Sequence, residues 1–138
     1  MGDQGNIWPV QDAGGQVVPG DDTAIELPSG QVVTLIETIW NAPGPEGLVS
    51  RFRFLAPAIN PETAAETGVV DFDLAAADIA WLCQNYALER VVQMGPEPAQ
   101  VVVSLSDRLV PFGETSPESV QFFEAFRIEN GTCIWEVL

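Results

Sequence analysis

The dipeptide Asn130-Gly131, close to the C-terminal end of the chain, places the strongest constraint on the fold. Asn-Gly is the preferred sequence of a two-residue type I′ turn, in which both residues have positive φ and which joins two antiparallel strands. Residues 121–129 and 132–138 flank it and are rich in strand formers. The register about this turn brings three pairs onto one face: Ile128 with Cys133, Phe126 with Trp135, and Glu124 with Val137. That face is mostly apolar, so we expect a helical layer to cover it and Trp135 to lie in the core.

A second hairpin is predicted nearer the middle of the chain. Residues 32–40 are apolar and β-branched, and residues 48–55 alternate between the two faces of a strand. The alternation places Phe52 and Phe54 inward, and the two arginines Arg51 and Arg53 outward. The intervening segment 41–47 is dense in Asn, Pro and Gly and predicts a wide loop. Farther on, residues 100–106 form a Val-rich strand, and residues 109–112 are expected to pair back against it.

One helix is predicted between these strands. Asp71 or Asp73 is the expected N-cap, and acidic residues in a first turn suit the helix dipole. Four side chains then recur at helical spacing and form one apolar stripe: Ile79, Leu82, Cys83 and Tyr86. Residues 88–94 predict a second helical piece, ended by Gly95-Pro96.

The two cysteines lie on surfaces that are expected to meet. Cys83 belongs to the apolar stripe of the helix, and Cys133 lies on the hairpin face that the helix should cover. We therefore predict a Cys83–Cys133 disulfide, with a pair of buried free thiols as the alternative. Closing a loop of about fifty residues would stabilise the fold by about 4 kcal/mol in the chain-entropy description.

These elements predict an α+β fold, with an antiparallel sheet of about five strands and one helical layer packed on one face. The length of 138 residues suits one domain. Residues 1–30 contain six glycines and three prolines and are expected to form a Gly/Pro-rich N-terminal arm. Residues 31–138 are expected to form the single α+β domain.

Composition excludes several functional classes. The chain has no histidine, its five basic residues are all arginines, and its net charge is −15. Without histidine, a Ser-His-Asp triad and His-ligated zinc or haem are excluded. Such a negative chain would be repelled by a phosphate backbone, so we expect no nucleic-acid partner. No apolar run approaches the 18 residues of a membrane-spanning helix, and no motif predicts a cofactor or a metal site.

Carboxylates are the only groups left for acid–base catalysis. Asp71, Asp73 and Asp78 cluster at the predicted helix start, and a glycosidase-like pair would need two such groups across a cleft. N-capping and a solvated helix face explain the cluster more simply. We therefore predict no catalytic residue and no enzymatic activity.

The tryptophans are the best candidates for a binding surface. Trp8 lies in the arm, Trp40 lies at the start of the predicted wide loop, and Trp81 falls off the apolar stripe of the helix. Exposed tryptophans often mark protein interfaces, so we take these three as candidate partner-binding residues. Packing in the core or anchoring of a loop is the alternative for each of them.

Several segments resemble a known family. They are Arg51-Phe52-Arg53-Phe54-Leu55-Ala56-Pro57, the stretch from Val102 to Arg108 with its Ser-Leu-Ser-Asp-Arg block, and the C-terminal hairpin with Gly131-Thr132-Cys133-Ile134-Trp135-Glu136. Over residues 28–138 the chain resembles small exported alphaproteobacterial proteins known only as a domain of unknown function. The resemblance implies an envelope location, a cleaved signal peptide and an oxidised cysteine pair, and it implies no activity. The arm before Leu27 departs from the pattern.

The sequence thus predicts a non-catalytic, periplasmic or secreted binding or accessory protein, whose partner is another protein of the bacterial envelope. Its contact surface would be the arm, the loop after Trp40 or the sheet face that the helix leaves open. Two alternatives stay open: a small enzyme that uses carboxylates alone, and an acidic mimic of nucleic acid that inhibits a DNA-binding partner.

Overall fold

A computed structural model describes residues 15–64, 68–114 and 116–136 of the chain. Within these ranges, seven strands form one sheet. They are β1 (Gln16–Pro19), β2 (Ala24–Glu26), β3 (Val32–Gly44), β4 (Gly47–Leu55), β5 (Gln100–Ser106), β6 (Gln121–Glu129) and β7 (Thr132–Glu136). The order across the sheet is β1-β3-β4-β5-β6-β7, and β2 pairs with β3 beside β1.

The fold class is α+β, as predicted, but the sheet differs in two respects from the expected antiparallel sheet of about five strands. The sheet has seven strands, and β4 and β5 pair in parallel while every other pair is antiparallel. The parallel pair follows from the connection between these strands, which runs through the whole helical layer. A crossover of that kind returns the chain in its original direction.

The helical layer is a continuous run from residue 72 to residue 94. It comprises α1 (Phe72–Leu82), a π-helical turn (Cys83–Ala87) and α2 (Leu88–Met94). Asp71 caps α1 as predicted, and its carboxylate accepts a hydrogen bond from the N–H of Leu74 at 3.0 Å. The predicted apolar stripe lies against the sheet, and Gly95 caps the end of α2.

The core lies between the helical layer and one face of the sheet. The side chains of Phe52 and Phe54 are fully buried there, as the alternation in β4 predicted. Both rings meet Tyr86 of the π-helical turn edge to face, with centroids 6.3 and 5.6 Å away, and Phe52 meets Trp40 in the same way at 5.5 Å. Such aromatic contacts add to the stabilisation that burial alone provides.

The C-terminal hairpin has the predicted turn and register. Asn130 and Gly131 both have positive φ, Ile128 lies opposite Cys133, and Phe126 lies opposite Trp135. The expectation that Trp135 lies in the core is wrong, because its side chain is 57% exposed. Its indole Nε1 donates a hydrogen bond to the carboxylate of Glu124, which satisfies the polar edge of the ring at the surface. The expected partner of Glu124, Val137, lies outside the described residues.

The predicted disulfide is present. It joins Cys83 of the π-helical turn to Cys133 of β7, with their Cα atoms 6.2 Å apart. The side chain of Gln84 supports the same junction, since its carbonyl accepts from the N–H of Cys133 and its amide donates to the carbonyl of Gly131. The helical layer is therefore attached to the hairpin by one covalent and two hydrogen bonds.

Part of the segment expected to be an arm belongs to the sheet. The strands β1 and β2 both pair with β3, and Gly20 lies directly over the backbone of Leu35. A Cβ atom at residue 20 would lie 1.8 Å from the carbonyl oxygen of Leu35, so the close approach requires glycine. Residues 1–14, with Trp8, are outside the described part of the chain.

Two predicted loop boundaries also differ. The expected wide loop 41–47 is mostly strand, because Pro43 and Gly44 pair with Leu48 and Gly47 and leave only residues 45–46 as the turn. The register shift between Ile39 and Ala42 and the positive φ of Asn41 form a bulge within β3. The expected strand over 109–112 is instead a loop that lies across the sheet. Pro111 has no N–H for a strand ladder, which agrees with this outcome.

Candidate functional site

A pocket lies on the sheet face that the helical layer leaves open. Its volume is about 330 Å³, and its floor comes from β4, β5 and β6 while the loop 110–114 forms one wall. Its lining is mixed, with two arginines, two phenylalanines and further polar side chains: Arg51, Arg53, Val102, Ser104, Pro111, Phe112, Gly113, Glu114, Gln121 and Phe123. Arg51 and Arg53 point to this face because they alternate with Phe52 and Phe54 along β4.

Arg53 is a structural component of the pocket. Arg53 is only 8% exposed, and its guanidinium forms an ion pair with Glu37, which lies opposite it on β3. The same guanidinium donates to the carbonyl oxygen of Val110. Arg53 therefore connects the sheet to the start of the loop that forms the pocket wall, and its charge is already balanced.

Arg51 differs from Arg53, although it lies two residues away on the same face. Its guanidinium carbon is 5.3 Å from the centre of the Phe112 ring, and that of Arg53 is 5.6 Å from the same ring. Within the described residues, the Arg51 guanidinium has no carboxylate within 4 Å and donates no hydrogen bond. Partial burial lowers the pKa of Arg51, yet an arginine remains charged at neutral pH. The pocket thus holds a positive charge that no carboxylate or hydrogen-bond acceptor of the described residues pairs with.

Apolar surface lines the same pocket as this charge. The Phe112 side chain is 45% exposed and that of Phe123 is 55% exposed, and both line the pocket. Ser104 pairs with Phe123 across β5 and β6, and Gln121 lies two residues earlier on β6. The site can therefore offer charged and neutral hydrogen bonds together with two exposed ring surfaces.

Two of the three candidate tryptophans, Trp40 and Trp81, lie within the described residues, and both contact the core. Trp40 is 7% exposed and packs in the core, so its indole is not available to a partner. Trp81 is half-buried and packs against the same core from the helical layer, and Trp8 lies outside the described residues. Sequence reasoning placed Arg51 and Arg53 on the outer face but did not single them out. The scarcity of cations in this chain was the signal that could have done so.

The acidic cluster at the helix start serves the fold. Asp71 caps α1, Asp73 is exposed in the first turn, and Asp78 is buried against Ser29 and Gln31. None of the three lines the pocket, and among the described residues Glu114 is the one carboxylate that does. Within the described ranges, no cluster of three or more acidic or cysteine side chains could hold a metal ion. No helix in those ranges has the length and apolar character needed to cross a membrane.

Comparison with protein families gives a match over most of the chain. The model of a family described as a family of unknown function, DUF6497, matches residues 10–138. The chain belongs to this family. The match begins at residue 10, so the family pattern includes most of the segment that we expected to depart from it. No curated protein and no solved structure matches the chain significantly.

Proposed function

We propose that the chain is a non-catalytic binding protein of the alphaproteobacterial envelope, exported by a cleaved signal peptide, which binds a protein partner through its open sheet face. The observation that carries the proposal is the guanidinium of Arg51, which has no acidic or hydrogen-bonding partner among the described residues and lines one pocket with the exposed phenylalanines Phe112 and Phe123. Arginine and aromatic side chains are the residue types that contribute most to protein interfaces.

The disulfide supports the proposed location. Structural disulfides persist in oxidising compartments such as the periplasm and are rare in the reducing cytosol. The bond between Cys83 and Cys133 joins two separate layers of the fold, which is the arrangement of a structural and not a transient bridge. Fractionation of cells that carry the native protein tests this, and we expect it in the periplasmic or secreted fraction with no free thiol.

The exposed rings provide a direct test of the binding surface. A photo-crosslinking amino acid at Phe123 places the reactive group in the pocket on the open face. The matched control position is Val92 of α2, whose side chain is 72% exposed on the helical layer. In native cells, we expect a discrete crosslinked protein from position 123 and none from position 92.

An Arg51→Gln change in the crosslinking variant sharpens the experiment. The crosslink from position 123 should fall at least about tenfold, because a hydrogen-bonded charge in an interface contributes on the order of 1.5–3 kcal/mol. Equal crosslinking from positions 92 and 123, or a crosslink that Arg51→Gln leaves unchanged, would contradict the proposed surface.

A further inference from the structure

The pocket also indicates which group of the partner it binds. We infer that it takes the C-terminal residue of the partner chain, with the terminal carboxylate on Arg51 and an apolar side chain against Phe112 and Phe123. This inference rests on the proposed function, since it names the part of the partner that enters the site. It is carried by the charge, the size and the apolar walls of the pocket.

Arg51 differs from the other four arginines of this acidic chain in its lack of a partner among the described residues. The protein has 20 carboxylates and five arginines, so acidic side chains outnumber basic ones four to one. The other four are occupied: Arg53, Arg108 and Arg127 form ion pairs, and Arg90 donates to the carbonyl of Tyr86. Arg51 alone has neither kind of partner among the described residues. A partly buried guanidinium with no acceptor among the described residues can take a planar carboxylate through two parallel hydrogen bonds.

The size and walls of the pocket favour a terminal residue. A volume of about 330 Å³ is at the small end of ligand pockets, so it accommodates one residue-sized group and not a helix or a strand. The ring of Phe112 lies beside the charge, and that of Phe123 lines the same pocket. A C-terminal apolar residue presents a carboxylate and an apolar side chain on one Cα atom, which matches both features at once.

The net charge of −15 limits the rest of the partner. A strongly acidic segment would be repelled before it reached the pocket, whereas a neutral or basic segment would not. The ligand is therefore a single carboxylate at the end of a chain that carries no other negative charge nearby.

The experiment uses the full chain labelled with ¹⁵N and follows amide chemical shifts during titration. The main probe is the peptide acetyl-Gly-Gly-Phe with a free carboxylate, and its matched control is the same peptide with a C-terminal amide. We expect shifts confined to residues 51–53, 102–104, 112–114 and 121–123, with a Kd on the order of 1 mM. The amide should bind at least about tenfold more weakly, because it lacks the charge.

Two further probes distinguish the source of the carboxylate. N-acetylphenylalanine represents a free small acid, and acetyl-Gly-Glu-Gly-amide represents an acidic side chain inside a chain. The inference expects the terminal peptide to bind more tightly than either. Tighter binding of the free acid or of the internal glutamate would overturn the assignment to a chain terminus.

Three variants identify the residue responsible. Arg51→Gln should weaken the main probe at least about tenfold, and Arg51→Lys should weaken it less, because lysine keeps the charge but loses the planar fork. Arg127→Gln makes the same charge change at an exposed ion pair of β6 and should leave binding unchanged. Absence of shifts at about 10 mM peptide, or equal losses in Arg51→Gln and Arg127→Gln, would overturn the inference. A crosslink from position 123 that depends on Arg51 would still uphold the proposed function in that case.

Discussion

The carboxylate of Asp78 in α1 accepts hydrogen bonds from both the backbone N–H and the hydroxyl of Ser29, 49 residues earlier in the chain. The side-chain amide of Gln31 donates to the same carboxylate at 2.8 Å, and Asp78 is fully buried. Ser29 and Gln31 lie in the turn between β2 and β3. These hydrogen bonds therefore attach the helical layer to the N-terminal side of the sheet, opposite the β7 edge that the disulfide holds.

Replacing Asp78 tests this attachment. Asp78→Ala should lower the free energy of unfolding by about 3 kcal/mol, because it leaves three donors without their acceptor in a buried site. Urea denaturation followed by tryptophan fluorescence measures the loss. Asp73→Ala removes an exposed carboxylate from the same helix and should cost less than about 1 kcal/mol. Similar losses of unfolding free energy in both variants would show that the hydrogen bonds of Asp78 contribute no more than an exposed carboxylate on the same helix.

The disulfide predicts a defined response to reduction. The bridge closes a loop with a sequence separation of 50, and the chain-entropy description assigns such a loop about 4 kcal/mol. Reductant should lower the free energy of unfolding by about that amount and should have no effect on a Cys83→Ala, Cys133→Ala double variant. Urea denaturation with and without reductant makes the comparison, and an unchanged midpoint in the wild-type protein would contradict the prediction.

The side chain of Gln84 should become more important once the disulfide is reduced. It bonds the backbone at Gly131 and Cys133 and so holds the same hairpin as the bridge. Gln84→Ala should cost about 1 kcal/mol in the oxidised protein and more in the reduced protein, because the two attachments share one interface. Equal costs in both redox states would show that the attachments are independent.

The predictions from sequence succeeded where the pattern was local. Asn130-Gly131 fixes its own turn and register, and Asp71 caps the helix that follows it, because neighbouring residues decide both. The disulfide was predictable because each cysteine lies on an apolar face of a local element. The burial of Trp40 and the exposure of Trp135 depend instead on how far the helical layer extends over the sheet, which no local pattern contains.

The pocket could be predicted only in part. The alternation in β4 placed Arg51 and Arg53 on one face, but their different environments arise from distant residues. Glu37 lies on a neighbouring strand, and the loop with Val110 and Phe112 comes from more than 50 residues later. That loop was expected to be a strand. The parallel pairing of β4 with β5 brings it across the sheet, and short-range patterns do not determine that pairing.

Asp107 gives the protein an acid-sensitive component of stability. It is buried, and desolvation favours its neutral form, but hydrogen bonds from Arg108, the N–H of Val120 and Asn60 outweigh that effect. The pKa of Asp107 therefore lies below its ordinary value of 3.8. The unfolded chain takes up this proton first as the pH falls. The contribution of Asp107 is present in full above pH 3.8 and is lost as the pH falls through the lower folded-state pKa.

Comparison with Asp107→Asn isolates this contribution. Acid also neutralises the other carboxylates and so reduces the repulsion within a chain of net charge −15, which favours the folded state. The difference in unfolding free energy between the wild-type protein and the variant should shrink between about pH 5 and about pH 2. Urea denaturation across that range measures it. A difference that stays constant would show that Asp107 does not titrate on unfolding.

Arg51 and Arg53 should differ sharply in their effect on stability. Arg53→Gln removes the ion pair with Glu37 and the bond to the Val110 carbonyl, so we expect a loss on the order of 3 kcal/mol and faster proteolysis within residues 110–114. Arg51→Gln removes no hydrogen bond to a described residue and weakens one contact with Phe112, so its cost should stay below about 1 kcal/mol. Urea denaturation and limited proteolysis of the two variants provide the measurement. A cost for Arg51→Gln as large as that for Arg53→Gln would make Arg51 a structural residue, because a guanidinium that the fold requires cannot also be free to receive a carboxylate.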